Sequence, residues 1–417
     1  MTFKLVTVAV LVSVSATACL SPPPALPHTP VTITTTFPSH PPPLPNTAEG
    51  YPQLGGNEPG SLVSVSLFDT IDPRITVTGS TAYRLHYMST SAVDNAPVEV
   101  TGLLVAPGGT APDGGWPVIA FNHGNTGIAQ GCGPSLYEDL LNQWSPAAVW
   151  LLHGYAVVMA DYEGLGLSGQ HAFLNAAALG RNVIDAVRAA RHVRPDIGSR
   201  WGAFGGSLGG LATWAANEQA STYGAGLDLV GAAAWVPVAN VAELPVKARN
   251  RTLTHDQLHV YFAAVMGLKA TTHPELDLTR YIHGGFYENR ELLLECTGPR
   301  VVDAVKFLQK ADPADLVPVD DEAVRQLSQW LGEIGLPQQR TAAPMLVIYG
   351  SADTLVDQAW IETALDKACA MGDTIEWELH PGEGHGDVDA QKAFPWLRAR
   401  FDGQMAINKC PTGPIKR

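Results

Sequence analysis

The chain is short of positive charge. It has 26 Lys and Arg against 40 Asp and Glu, a net charge of −14, and no dense Lys/Arg run. Such a balance excludes a nucleic-acid partner and aids solubility. None of the 13 histidines sits in an H-E-x-x-H, and none of the five cysteines in a C-x-x-C. No catalytic metal is therefore expected, and no other cofactor. The chain has no internal repeat. Its N-terminal apolar run, LVTVAVLVSVSA, is too short for a membrane span.

That run reads instead as an export signal over residues 1–18, with Lys4 as its basic residue and Ala16-Thr17-Ala18 as a small-residue cleavage site. The next residue is Cys19. The site therefore resembles a bacterial lipobox, and Cys19 is a candidate for lipidation, which would place the protein on the cell surface in association with a membrane. Plain secretion is the alternative. Setting Cys19 aside leaves Cys132, Cys296, Cys369 and Cys410, an even set that suits two disulfides in an oxidising compartment. Four cysteines allow three connectivities. The favoured one pairs Cys132 with Cys296 and Cys369 with Cys410, the latter tying the last helices to the C-terminal tail. Buried free thiols are the alternative.

Residues 19–50 are Pro-rich, with SPPPALP and HPPPLP, and read as an extended tether. Residues 51–239 begin with strand patterns. SLVSVSLF alternates, and TAYRLHYMSTSAV and PVEVTGLLVAP flank a turn. From WPVIAFNHG onward, apolar strands alternate with helical patterns, at about 135–150, at 172–193 and after the serine motif below. The rhythm breaks over 240–340, where helix signals dominate: LTHDQLHVYFAAVMGLKA, NRELLLECTG, RVVDAVKFLQKA and DDEAVRQLSQWLGEIG. It resumes over 341–417. This pattern predicts an α/β fold, a mostly parallel sheet with helices on both faces, carrying an inserted helical cap.

The stretch WGAFGGSLGGLATW holds Gly205-Gly206-Ser207-Leu208-Gly209, a G-x-S-x-G between a strand and a helix. In that context the motif makes a nucleophile elbow, and Gly205 and Gly209 leave room for the turn. The bland alternative is a Gly-rich helix start with an N-cap serine. A serine nucleophile needs a base and an orienting acid, in the chain order Ser, Asp/Glu, His. APMLVIYGSAD ends in Asp353, and TIEWELHPGEGH ends in His385, each just after an apolar strand. Asp357 is a rival for the acid but is placed to start a helix. His380 is a rival for the base but falls inside its strand. The N–H of Leu208 is one expected oxyanion donor. The second is sought in the loop Phe121-Asn122-His123-Gly124-Asn125, at Asn125, with Gly124 as the alternative. Gly164-Leu165-Gly166-Leu167-Ser168-Gly169 has the G-x-G-x-x-G form, yet the next strand ends in the serine elbow and not in an acidic residue, which excludes a dinucleotide site.

Three stretches together, HGNTGIAQGCGPS, ADYEGLGLSGQHAFLNAAALGRNVIDAVRAAR and GGSLGG, resemble the secretory lipase family of α/β-hydrolases, which includes fungal lipases of the lipase A type and actinobacterial exported lipases. The resemblance runs from about Gly60 to the tail. It implies an α/β-hydrolase fold with a helical cap, hydrolysis of acyl esters, a triad at Ser207, Asp353 and His385, and an oxyanion loop at Gly124-Asn125, with Asn125 standing where the family usually has Thr. Cys132 matches a family cysteine, which supports its bond to Cys296 in the cap. The expected activity is that of an exported carboxylesterase or lipase acting on acyl ester or lipid substrates, with no obligate protein partner. An acyltransferase, or a hydrolase of another ester, would use the same triad. A catalytically dead binding module is the rival from outside catalysis. Tyr261, Phe262 and Met266 are apolar candidates for the cap's pocket wall, although core packing is the more ordinary role for each.

Overall fold

The computed structural model describes residues 55–76 and 79–411. The export signal, the Pro-rich tether and Cys19 lie outside them. Among the described residues nine strands form one sheet: β1 (Leu62–Leu67), β2 (Thr81–Thr90), β3 (Pro97–Ala106), β4 (Trp116–Asn122), β5 (Ala156–Ala160), β6 (Ile197–Gly206), β7 (Asp228–Trp235), β8 (Met345–Gly350) and β9 (Ile375–His380). Their order is β1-β2-β3-β5-β4-β6-β7-β8-β9. Pairings up to β3–β5 are antiparallel and those from β5–β4 onward are parallel.

The helices are α1 (Ala148–Leu152), α2 (Ala176–Val193), α3 (Leu208–Tyr223), α4 (Leu244–Arg249), α5 (His255–Ala270), α6 (Gly284–Glu288), α7 (Arg300–Leu308), α8 (Asp321–Ile334), α9 (Gln358–Ala370) and α10 (Ala393–Phe401). The parallel strands are covered on both faces, so they read as unbroken apolar runs: every residue of AVVMA in β5 and MLVIYG in β8 is buried. One face packs against α2, α3 and α9. The other packs against α1 and α10, through Trp150, Trp396, Leu397 and Phe401. Helix α2 begins where Asn175 caps it, its side chain accepting the Ala178 N–H at 3.1 Å.

Helices α4 to α8 all fall between β7 and β8. Helix α5 buries Tyr261, Phe262, Ala263, Ala264 and Val265 in succession, the signature of a helix enclosed on all sides. Thr254 and Gln257 form a capping box at its start. The cap residues Lys247 and Gln257 grip Asp357 of the sheet domain at 2.6 and 2.9 Å. Cys132 is bonded to Cys296 and Cys369 to Cys410.

Two helical expectations need correction. The stretch at 135–150 is a chain of 3₁₀ turns, Pro134–Leu136, Leu140–Asn142 and Ser145–Ala147, before the short α1. Pro134 and Pro146 cannot donate to a helix, and Leu140, Leu141 and Asn142 take left-handed backbone angles. In NRELLLECTG only Leu292–Leu294 makes a helical turn. The segment leaves it for the Cys296 disulfide, and Gly298, with φ of 84°, turns the chain into α7.

Candidate active site

β6 delivers Ser207 into a tight strand-to-helix turn. Ser207 has φ 59° and ψ −121°, a strained conformation for a residue with a side chain. The turn is held through its backbone: the Ser207 N–H donates to Trp235 O at 2.9 Å, and its carbonyl accepts from Leu211 at 3.1 Å and Val238 at 3.2 Å. The glycines around it are steric necessities. A Cβ on Gly205 would lie 2.5 Å from the Asn122 carbonyl oxygen, and one on Gly206 would lie 2.8 Å from the Trp235 ring. Ser207 heads α3 without capping it through its side chain, so its hydroxyl is free for other work.

That hydroxyl donates to His385 Nε2 at 2.9 Å, and His385 Nδ1–H donates to Asp353 Oδ2 at 2.7 Å. Asp353 follows β8 and His385 follows β9, so the sheet's parallel register sets all three at one edge. The Asp353 side chain is fully buried, and its other oxygen accepts the N–H groups of Leu355 at 2.8 Å and Val356 at 2.9 Å. A carboxylate with both oxygens so engaged can orient an imidazole without turning. The two rivals do other things. Asp357 bonds Lys247 and Gln257, joining cap to core. His380 faces Glu383 at 3.0 Å and Glu378 at 3.1 Å.

Beside Ser207 lies the loop after β4. Gly124 donates its N–H to Gln143 Oε1 at 3.1 Å, so that N–H already has a side-chain partner. The Asn125 side chain is turned into its own loop, where Oδ1 accepts the Gly127 N–H at 2.9 Å. His123 is fully buried, and that burial pushes its pKa down to about 4. As a neutral ring it donates Nδ1–H to Gly124 O at 2.7 Å, and it stacks on Tyr162 with centroids 4.4 Å apart. Behind it Asp161, also fully buried, accepts hydrogen bonds from the Thr101 and Ser135 hydroxyls and the Ser135 N–H. Burial raises the Asp161 carboxyl despite those bonds.

A cleft of about 690 Å³ opens beside this loop. Its walls include Asn125, Leu141 and Gln143 from the core and Leu293, Val301 and Val302 from the cap. Ser207 itself is not among the lining residues. Tyr261 and Phe262 are also absent from the walls: both are fully buried in the core, with Phe262 against Phe286 at 5.8 Å between centroids. The glycines of the GLGLSG stretch serve packing. A Cβ on Gly166 would lie 2.0 Å from Thr101 Oγ1, and α2 does not begin until Ala176.

Reading the residues in order left Gln143 and Tyr162 unnoticed. Tyr162 stands in the stretch ADYEG, where nothing indicates that its hydroxyl donates to His123 O at 3.0 Å. Gln143 carries no sequence signal, because the stretch around it predicts a helix that does not form.

Residues 146–409 match the Secretory lipase family. A Mycobacterium tuberculosis protein (strain CDC 1551 / Oshkosh) named a probable inactive lipase is 28% identical over 352 residues, covering 78% of this chain and 74% of that one. Candida antarctica lipase A in its closed state superposes with a TM-score of 0.69 at 17% identity, over 85% of each chain. The rice cell wall degrading esterase LipA from Xanthomonas oryzae, in a ligand-bound form, gives 0.65 at 18% identity, over 84% of this chain and all of that one. At such identities these two structures show the shared α/β-hydrolase fold.

Proposed function

The chain belongs to the secretory lipase family, and from that premise we propose that it is an exported serine carboxylesterase or lipase that cleaves acyl esters through an acyl-enzyme on Ser207. The observation that carries this reading is the unbroken relay Asp353–His385–Ser207, at 2.7 and 2.9 Å. Ser207 Oγ attacks the ester carbonyl as its proton passes to His385 Nε2. Asp353 holds the imidazole tautomer and stabilises the imidazolium. The Leu208 and Asn125 N–H groups receive the oxyanion. His385 then protonates the leaving alcohol, and water activated by the same ring releases the acid. Gly205 and Gly209 make the elbow possible.

The cap, residues 240–340, supplies one wall of the cleft beside the Asn125 loop. Export is supported by the two disulfides, which belong to an oxidising compartment. Acylation of Cys19 would anchor the protein to a membrane through the Pro-rich tether.

The test is turnover of p-nitrophenyl acyl esters of increasing chain length by purified protein and by Ser207→Ala. Wild-type hydrolysis lost in the variant is expected, and full turnover by Ser207→Ala would overturn the mechanism. Adding an alcohol acceptor separates hydrolysis from acyl transfer. The name of the Mycobacterium relative favours a second reading, a silent scaffold, which predicts no labelling of Ser207 by a fluorophosphonate probe.

A further inference from the structure

The loop that carries Asn125 is clamped at consecutive peptide groups. In the His123–Gly124 peptide the carbonyl accepts from Tyr162 Oη–H at 3.0 Å, and the N–H donates to Gln143 Oε1 at 3.1 Å. In the next peptide the Gly124 carbonyl accepts from His123 Nδ1–H at 2.7 Å. A trans peptide sets its C=O and N–H on opposite sides. With the Gly124 carbonyl drawn to His123, the Asn125 N–H must face the other way. Three side chains thus define that donor's direction, and Gln143 is the one that comes from outside the strand ends.

Gln143 stands close to the chemistry. A Cβ built on Gly124 would be 3.5 Å from Gln143 Oε1 and 4.0 Å from Ser207 Cβ. Gln143 also lines the same cleft as Asn125. The backbone that presents it is unusual: Leu140, Leu141 and Asn142 are three consecutive non-glycine residues with φ of 50°, 50° and 61°. Such conformations persist only where the surroundings over-determine them. Here Leu140 is anchored in the core, 1% exposed, and Asp139 Oδ1 accepts the Leu141 N–H at 3.1 Å. The kinked run ends at Gln143, whose N–H returns to Leu140 O at 3.0 Å.

We propose that Gln143 is a positioning residue for the oxyanion hole: by engaging the Gly124 N–H it fixes the loop so that Asn125, and not Gly124, donates to the oxyanion. This rests on the serine-esterase reading above. The Gln143 side chain bonds the Gly124 N–H and the Leu141 carbonyl and takes no part in the Asp353–His385–Ser207 hydrogen bonds, so it acts through the loop. Its loss affects the step in which negative charge develops and leaves ground-state ester binding intact.

The experiment compares wild type, Ser207→Ala, Gln143→Met and Gln143→Asn on p-nitrophenyl acetate, with melting temperatures and rates of inactivation by a fluorophosphonate. Methionine keeps the length and loses the acceptor, while asparagine keeps the amide and falls one methylene short. Each is expected to lower kcat by about 10- to 100-fold with KM within about twofold, and to slow phosphonylation in parallel. Melting temperatures should stay near wild type. If either folded variant matches wild-type kcat, the inference is overturned. A faster variant also overturns it, since Gln143 would then be blocking a Gly124 donor. An inactive wild type, or an active Ser207→Ala, would instead sink the underlying reading.

Discussion

Gly209 approaches Asn122 so closely that a Cβ at residue 209 would lie 1.9 Å from the Asn122 carbonyl oxygen and 2.7 Å from that of His123. Both obstacles are backbone, at the end of β4 where the oxyanion loop begins. The first turn of α3 therefore rests directly on that loop. Gly209→Val should abolish ester turnover, with a loss of at least about 100-fold, even though Ser207, His385 and Asp353 are untouched. Displacement of the Asn122–Asn125 backbone from Leu208 would be the cause. Kinetics on purified protein, with circular dichroism to confirm folding, check it, and wild-type turnover would mean the contact is not functional.

Asp353 and Asp357 lie four residues apart in the loop between β8 and α9 and should answer the same substitution differently. Asp353→Asn leaves the shape intact but disturbs the imidazole tautomer, and about a 10⁴-fold fall in kcat is expected from the same change in serine proteases. Asp357 only ties Lys247 and Gln257 to the sheet domain. Asp357→Asn should keep kcat within a few-fold and cost about 1 kcal/mol of stability. Paired kinetics and urea unfolding separate the two.

Where each residue's role was legible depended on how local its cause is. Ser207 announces itself by its flanking glycines, and Asp353 and His385 by following apolar strands in the right order. Parallel strand register then brings three distant residues to one edge. The sheet was legible for the same reason: β5 and β8 are apolar throughout, and β4 and β7 over most of their length, because both faces are covered. Gln143 depends on three left-handed residues and a neighbour 19 positions away, and no periodicity encodes that. Leu141, Asn142 and Gln143 sat in a stretch whose apolar spacing suggested a helix that Pro134 and Pro146 prevent. Tyr261 and Phe262 take the core-packing role that is the more ordinary one for their types, because their neighbours enclose α5, and the cleft wall falls to Leu293 in its 3₁₀ turn and to Val301 and Val302 at the start of α7.

The Cys132–Cys296 bond spans 164 residues and fastens the cap segment that lines the cleft to the loop region after β4. It is also packed tightly: a Cβ on Gly127 would lie 2.6 Å from Cys132 Sγ. Replacing both cysteines with serine should lower stability by about 2–5 kcal/mol. Activity should fall as well, since Cys296 and its neighbours Glu295 and Thr297 form part of the cleft. Denaturant unfolding and ester kinetics of the double variant check both halves. By contrast, replacing the Cys369–Cys410 pair, whose residues are absent from the cleft wall, should cost stability with kcat little changed.

Glu218 ties α3 to the chain before β8, accepting the Gln338 N–H at 3.1 Å and the Gln339 N–H at 3.4 Å. It is 3% exposed, and that burial raises its pKa to about 7 in spite of those bonds. The folded protein therefore holds a proton that the unfolded chain has given up between about pH 4.5 and 7. Glu218's contribution to stability is fully present below that window and is lost as pH rises through it. Glu218→Gln keeps an oxygen acceptor and cannot ionise, so it removes the dependence. Relative to wild type, the variant should gain on the order of 2 kcal/mol between pH 5 and pH 8. Urea unfolding of both proteins at the two pH values measures the difference, and an unchanged difference would mean that Glu218 does not titrate in this range.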